Sequence, residues 1–222
     1  MAAEGNEAPA TRRWQFSLRG ILSFTAWAAC TAAFARLRGT GAAVLIVGLS
    51  ACALNCRGDL SNWQLPGRRG GKTAYLAWAL LLASLFLPAV RGCSNSSIAG
   101  WQAAGACAMA QFSMPEPGIE HRWVAYGYYS MLNLANLLLL LSPWALYRAR
   151  RGKGQCYAAA LGICAVAVWS ASVDDAGGLL AGYYVWSLAV LGLLSAFPLG
   201  SRTMTLMVLA GLGRLFLLPL IH

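Results

Sequence analysis

Acidic side chains are scarce in this sequence, with seven Asp and Glu residues against 17 Lys and Arg residues in a chain of 222. Charged residues of both signs make up only 11% of the chain, whereas an average soluble domain has about 25%. So few charges cannot cover the surface of a soluble fold in which 59% of residues are hydrophobic. The composition excludes a disordered chain and a secreted disulfide scaffold, and it predicts an integral membrane protein.

Carboxylates are also missing from every long apolar run of the chain. Ion-coupled transporters commonly hold a carboxylate within the membrane, because a cation at the bilayer centre needs a charged partner. Their absence from the apolar runs therefore argues against proton-coupled or cation-coupled transport. The acidic residues are Glu4, Glu7, Asp59, Glu116, Glu120, Asp174 and Asp175.

Apolar runs dominate what remains of the sequence. A helix needs about 20 mostly apolar residues to cross a hydrocarbon layer of about 30 Å, and continuous rather than alternating hydrophobicity favours helices over a barrel. We predict an all-α polytopic protein with a cytoplasmic tail at 1–15 and a single transmembrane domain over 16–222. The predicted spans are 16–35, 40–56, 73–90, 128–147, 157–173, 179–197 and 203–221.

The stretch 98–114 is long enough for an eighth span, but it is rich in Ala and contains Gln102 and Gln111. Basic residues concentrate on the cytoplasmic side of membrane proteins. Seven spans with a cytoplasmic N-terminus put twelve basic residues inside and four outside, whereas an eighth span gives eight on each side. We therefore predict seven spans, with 98–114 as an interfacial or re-entrant helix within an outer loop over 91–125.

The excess of basic residues has the same explanation. Inner-face Lys and Arg residues set topology and attract anionic lipid headgroups, at about 1 kcal/mol each near the surface. No loop is large enough to form a nucleic-acid-binding module, so we expect membrane lipids, and other membrane proteins, as partners rather than nucleic acid. The first apolar run is interpreted as an uncleaved signal anchor, because Arg36 and Arg38 follow it directly.

Few residues in the apolar runs can carry chemistry. Arg214 is a charge inside the last predicted span, where it can bind an anionic lipid or substrate, or simply reach backbone carbonyls or the interface. Asn133 and Asn136 share one face of the fourth span, where amides usually hydrogen-bond to neighbouring helices. A path for a polar solute along these two amides is the alternative.

The outer loop contains the remaining candidates. The segment 116–121 brings two carboxylates and His121 together, but its spacing matches no established metal site, so a solvated turn is the preferred interpretation. Cys93 and Cys107 lie in the same loop and could form a disulfide on the outer face. No Cys-x-x-Cys pair occurs, and we predict no catalytic, cofactor-binding or metal-ligating residue and no cofactor.

Several short motifs resemble a known group of sequences. The start Phe16-Ser17-Leu18-Arg19 leads straight into the first span, and Leu87-Pro88-Ala89-Val90, Gly100-Trp101 and 134–137 follow it, with 182–186 (GYYVW) beyond them. In these motifs the chain resembles uncharacterised planctomycete-type small multi-pass membrane proteins. The resemblance implies a bacterial inner-membrane location, and it implies no activity and no functional residue.

Three functions fit these observations. The first is a non-catalytic structural or accessory component of the cell inner membrane, with its N-terminus in the cytoplasm. The second is a transporter or channel for a small neutral or lipidic solute, with Asn133, Asn136 and Arg214 along the path. The third is a membrane redox or lipid-modifying enzyme that uses the outer-face Cys or Glu and His groups. Because no catalytic constellation is recognisable, the sequence favours a protein that is not an enzyme.

Overall fold

The computed structural model describes residues 18–57, 68–91, 96–112, 122–148, 151–172, 178–197 and 199–217. Most of these residues are helical. This confirms the all-α prediction. Four very short strands, β1 to β4, connect helix ends: Cys56–Arg57, Pro88–Arg91, Ser97–Ala99 and Leu199–Gly200. The helices of this part of the chain are α1 (Leu18–Arg38), α2 (Thr40–Leu54), α3 (Arg68–Phe86), α4 (Gly100–Phe112), α5 (Arg122–Leu140), α6 (Ser142–Arg148), α7 (Arg151–Ala171), α8 (Ala181–Ala196) and α9 (Ser201–Leu217).

Most helix boundaries differ from those predicted, by up to six residues, and two of the differences have a clear local cause. The first helix continues to Arg38 and ends at Gly39, whose φ of 81° is readily adopted only by glycine, so the reversal into α2 needs a single residue. The predicted span 128–147 is two helices that meet at Leu141. Pro143 explains that break, because proline has no N–H to donate to the carbonyl four residues earlier.

Two helices are long and apolar enough to cross a membrane, judged by length and composition within the described residues. One is Leu18–Arg38, which has no buried residue, and the other is the stretch Gly154–Ala171 of α7, which is 56% buried. Thr40–Leu54, Gly71–Phe86 and Ala181–Ala196 are apolar but shorter. The helices therefore lie where the sequence predicts them, while their number as spans remains a prediction.

Helices α3 and α8 form the closest pair and run antiparallel. Gly182, at the start of α8, lies against the end of α3: a methyl group on it would approach the Leu87 carbonyl oxygen to 2.9 Å. Gly192, ten residues further, faces Ala77, ten residues before Leu87. Because small residues stand at both crossings, the two backbones can approach closely along most of their length.

Helix α2 lies beside α8 and runs parallel to it. The Tyr184 hydroxyl donates to Thr40 Oγ1 over 2.8 Å at the start of both helices. At their other end, Asn55 Nδ2 donates to the carbonyl oxygens of Leu194 and Phe197, each over 2.8 Å. The chain then pairs β1 with β4 in parallel. Asn55 thus satisfies carbonyls that the end of α8 leaves without an intrahelical donor.

The centre of the bundle is α7, which contacts α5 on one side and α9 on another. It runs antiparallel to α5, since the Tyr157 hydroxyl donates to the Leu138 carbonyl and Cys164 Sγ lies 3.8 Å from Met131 Sδ. It runs parallel to α9, because Gly162 packs against Met207 and Val166 against Gly211. Trp27 of α1 donates to Ser50 Oγ over 3.0 Å, which joins α1 to α2.

These pairings give the bundle two ends. The hairpin end contains Gly39, the antiparallel strands β2 and β3, and residues 178–180, which join β2 through a bridge between Val90 and Leu179. The basic end contains β1, β4 and the starts of α3, α7 and α9. Successive long helices therefore alternate in direction from α1 to α9, with α4 and α6 as shorter additions beside α3 and α5.

We predict that Gly48→Ala destabilises the bundle by about 1–3 kcal/mol, because a methyl group at this position would overlap the ring of the fully buried Trp169. Gly105→Ala is the control, since a Cβ there meets no atom within 4 Å, and it should be neutral or stabilising by up to about 1 kcal/mol. Thermal unfolding of the detergent-solubilised protein measures both. Equal midpoints for the two variants would contradict this packing.

Candidate functional site

A cavity of about 260 Å³ lies at the hairpin end, between α3, α4, α5 and α8. Strand β2 and Leu179 close it from above, through Ala89 and Val90. Its walls come from elements that are far apart in sequence, so only the packed bundle forms it. The residues that line it are Ser84, Leu85, Ala89, Val90, Gly100, Ala103, Ala104, Cys107, Tyr128, Tyr129, Leu132, Asn136, Leu179, Gly182, Tyr183 and Trp186.

One wall of the cavity is a single face of α4. Gly100, Ala103, Ala104 and Cys107 follow the spacing of neighbours on one side of a helix. Gly100 anchors this wall: its N–H donates to the Leu87 carbonyl over 2.9 Å, and any side chain there would overlap the carbonyl oxygen of Ser84. Because all four residues are small, the wall leaves open space where larger side chains would fill it.

The opposite walls are aromatic and belong to α5 and α8. Tyr128 and Tyr129 lie with ring centroids 5.7 Å apart, and Tyr183 and Trp186 lie 6.0 Å apart. The Tyr183 hydroxyl shares a hydrogen bond with Ser172 at the end of α7, which holds its ring in place. Rings of this kind offer large apolar faces with a few polar groups at their edges.

A polar contact joins these two walls. Trp186 Nε1 donates to Asn136 Oδ1 over 2.8 Å, which fixes the orientation of the amide. Because Oδ1 is taken by the indole, the Nδ2 group of Asn136 keeps its donor capacity, and no residue in the described ranges accepts a hydrogen bond from it. The cavity therefore contains a hydrogen-bond donor in mainly apolar surroundings.

The cavity carries no charge among the residues described as lining it. Cys107 is its one thiol, and this thiol is half-buried and free. The arrangement is suited to holding a neutral molecule rather than to covalent chemistry.

The two predicted amides have different environments. Asn133 Nδ2 donates to the Cys107 carbonyl over 3.2 Å, so it ties α5 to α4, while Asn136 lines the cavity and binds α8. Their role as links between neighbouring helices is confirmed. A continuous path along both amides is not formed at Asn133, whose amide nitrogen is occupied by backbone.

Several other predicted candidates lie wholly or partly outside the described residues. Arg214 lies in α9, and its side chain is outside the described part of the structure. Cys93, the segment 116–121 and Asp174-Asp175 also lie outside the described residues, whereas Cys107 has a free thiol. Among the residues that are described, no three His, Cys, Asp or Glu side chains could hold a metal ion together.

The sequence did not identify the cavity. Residues 182–186 entered the sequence analysis only as a motif, and the α4 wall only as part of an Ala-rich interfacial or re-entrant helix. The available signal was the helical spacing of small residues from Gly100 to Cys107, but such spacing alone does not show what faces it. The partner helices are distant in the chain, so their contact could not be read from local pattern.

Comparisons with known proteins provide no relative: no protein-family model, no curated protein and no solved structure matches the chain.

We predict that Trp186→Phe and Asn136→Leu are energetically coupled, because each removes the same interhelical hydrogen bond. Such bonds in membrane bundles contribute about 0.6 kcal/mol on average and up to about 1.7 kcal/mol. A double-mutant cycle on thermal unfolding measures this coupling. Trp101→Phe serves as the control, since Trp101 is exposed at the start of α4 and should show no coupling to Asn136. The same coupling for both tryptophans would contradict the assignment.

Proposed function

We propose that this protein is a seven-span component of a bacterial inner membrane with its N-terminus in the cytoplasm and a non-catalytic structural or accessory role. The observation that carries the proposal is the apolar outer surface of the bundle. Monomeric soluble proteins rarely expose apolar patches beyond a few hundred Å². Here every described helix except α7 exposes at least one large hydrophobic side chain, and this includes the short helices α4 and α6. Examples are Leu18, Phe24, Phe34, Val47, Leu76, Phe86, Met109, Leu134, Leu137, Trp144, Leu188, Leu206 and Leu209.

The interior is compatible with the same interpretation. Besides large apolar side chains such as Leu161, Trp169 and Phe197, its buried positions include many alanines and five serines, which are Ser84, Ser142, Ser170, Ser172 and Ser187. Small residues allow close backbone approach, which replaces the hydrophobic effect as the main source of helix association in lipid. A bundle that buries hydroxyl groups and alanines while large apolar side chains are exposed on its surface is thus suited to a hydrocarbon solvent.

The alternating helix directions support the orientation. Lys and Arg residues cluster at the basic end, where α3 and α7 begin, and fewer occur at the hairpin end. Cytoplasmic loops carry the excess of positive charge. The basic end is therefore assigned to the cytoplasm and the hairpin end to the outer face. The basic end has Arg19, Arg57, Arg68, Arg69, Lys72, Arg148, Arg151, Lys153 and Arg202, and the hairpin end has Arg36, Arg38, Arg91 and Arg122.

The short helices are compatible with this topology. Helix α2, with 15 residues, is about 22 Å long, and the extended residues of β1 add about 3.3 Å each at its cytoplasmic end. Helix α8 is prolonged in the same way by β4. Because β1 pairs with β4, the extended backbone of one supplies hydrogen bonds to the other, as irregular backbone at membrane depth requires.

Helix α4 is best explained as re-entrant. It packs against α3 and α5, and it is anchored at the hairpin end through Gly100. Its Cys107 carbonyl meets Asn133, the twelfth residue of α5, which lies about 16 Å along that helix from its start at the hairpin end. An interfacial helix lying across the membrane surface would not reach that depth, so the re-entrant alternative is preferred over the interfacial one.

A second function has specific support from the cavity. A transporter or binding protein for a small neutral or lipidic solute needs an uncharged space inside the helices, and the cavity at the hairpin end provides one. Redox or lipid-modifying enzymology is the least favoured of the three hypotheses, because the Cys107 thiol has no second cysteine paired with it and no acid or base lines the cavity beside it among the described residues. The resemblance to planctomycete-type membrane proteins is compatible with the first two hypotheses.

We predict that an impermeant maleimide distinguishes the two ends of α3 in a variant whose native cysteines are replaced. In intact cells it should label Arg91→Cys at the hairpin end, while Lys72→Cys at the basic end should react only after the inner membrane is opened. Both side chains are exposed in the bundle, so burial does not explain a difference between them. Labelling of both from the same side, or release of the protein by an alkaline wash without detergent, would contradict the proposal.

A further inference from the structure

The cavity at the hairpin end selects for ligands by charge. No Lys, Arg, His, Asp or Glu is among its described lining residues. A phosphate or carboxylate that entered would lose its hydration without meeting a cation, which costs several kcal/mol or more. The site therefore favours uncharged molecules over phospholipid headgroups and fatty acid anions.

The hydrogen-bonding groups of the cavity select further. The Asn136 amide is held by Trp186, and its Nδ2 group meets no acceptor among the described residues. Such a donor gains from an acceptor on a ligand, because a buried donor without a hydrogen bond costs about 1–3 kcal/mol. A carbonyl oxygen is the acceptor that an amide N–H₂ group normally finds in proteins.

Size and shape restrict what can enter. A volume of about 260 Å³ is slightly below the range of about 300–1,000 Å³ for sites that enclose a whole drug-sized ligand. It is enough for a head group, with any long chain left outside among the apolar surfaces. The rings of Tyr128, Tyr129, Tyr183 and Trp186 face the small α4 wall across this space, which suits a compact or flat group.

We propose that the cavity binds the head group of a neutral membrane amphiphile through a carbonyl oxygen that accepts a hydrogen bond from Asn136 Nδ2. The ligand is of the quinone or the acylglycerol type, which share the neutral carbonyl and the apolar chain. This inference rests on the membrane location proposed above, because such amphiphiles are available only in lipid. It requires no reaction of the ligand.

The test uses the full-length protein in a mild non-ionic detergent, with thermal unfolding as the readout. Three probes are added in turn: decylubiquinone, 1-oleoylglycerol and oleate, the last being the anionic control. At about a hundredfold excess over its Kd, a bound probe should raise the midpoint by about 5 °C or more. Each variant is compared with its own midpoint without probe, so that a loss of basal stability does not mimic a loss of binding.

The variants separate the cavity from the rest of α4. Ala104→Leu adds three carbon atoms to a residue that lines the cavity, and it should abolish the shift. Ala106→Leu makes the same change at an exposed position on the same helix and should keep it. Asn136→Leu removes the Nδ2 donor and should reduce the shift. Cooperative unfolding of this variant shows that the reduction does not come from misfolding.

The outcomes divide clearly. A shift with decylubiquinone only assigns the quinone type, a shift with 1-oleoylglycerol only assigns the acylglycerol type, and a shift with both supports the shared carbonyl. No shift with either neutral probe, an equal shift with oleate, or an equal loss in Ala104→Leu and Ala106→Leu overturns the proposal. If no probe shifts a protein that still needs detergent for extraction, the ligand inference fails while the membrane proposal stands.

Discussion

The close contact between α3 and α8 is the constraint on which most of the bundle depends. At one end, Gly182 has no side chain where the backbone of Leu87 to Ala89 approaches, and further along Gly192 faces the small side chain of Ala77. The same contact brings Leu180 N–H to the Ala89 carbonyl over 2.9 Å and Arg91 N–H to the Gly178 carbonyl over 2.7 Å, so the loop ends become an extension of the strands. The cavity is then what α4 and α5 leave unfilled beside this pair. The position of the candidate site therefore follows from the pairing of these two helices.

Polar side chains in this bundle mainly organise helices. Asn55 completes the end of α8, Asn133 holds α4, and Asn136 accepts from Trp186. Each amide joins elements that van der Waals packing alone would hold in several registers, because alanine-rich faces fit one another almost equally well when shifted by a turn. Hydrogen bonds have discrete partners, so they select one register. Asn136 differs from the other two because it lines the cavity and its Nδ2 group keeps its donor capacity. The proposed ligand is therefore assigned to Asn136 alone.

The positions of the helices could be predicted from the sequence, but the pairs of helices that pack together could not. Continuous hydrophobicity located every long helix, although the starts of α5 and α7 lie six residues before the predicted ones. The break at Leu141 was foreseeable from Pro143, yet hydrophobicity alone carried the predicted span through it. The cavity could not be predicted, because large apolar side chains occur on both exposed and buried surfaces, and nothing in the pattern distinguishes Tyr183, which is buried, from Tyr126, which is exposed. Interhelical pairing over such distances is encoded in shape rather than in hydropathy.

The bonds from Asn55 to Leu194 and Phe197 join residues that are separated by 139 and 142 positions in the chain. Ribosomes add about 5–20 residues per second, so α2 leaves the ribosome roughly 7–30 s before its partner exists. During that interval the Asn55 amide and the small-residue face of α2, with Gly41, Ala42, Gly48 and Cys52, have no α8 or Trp169 to contact. The first helical hairpin must therefore persist in the nascent chain without these contacts, and the late-synthesised helices dock onto an early one that already exists.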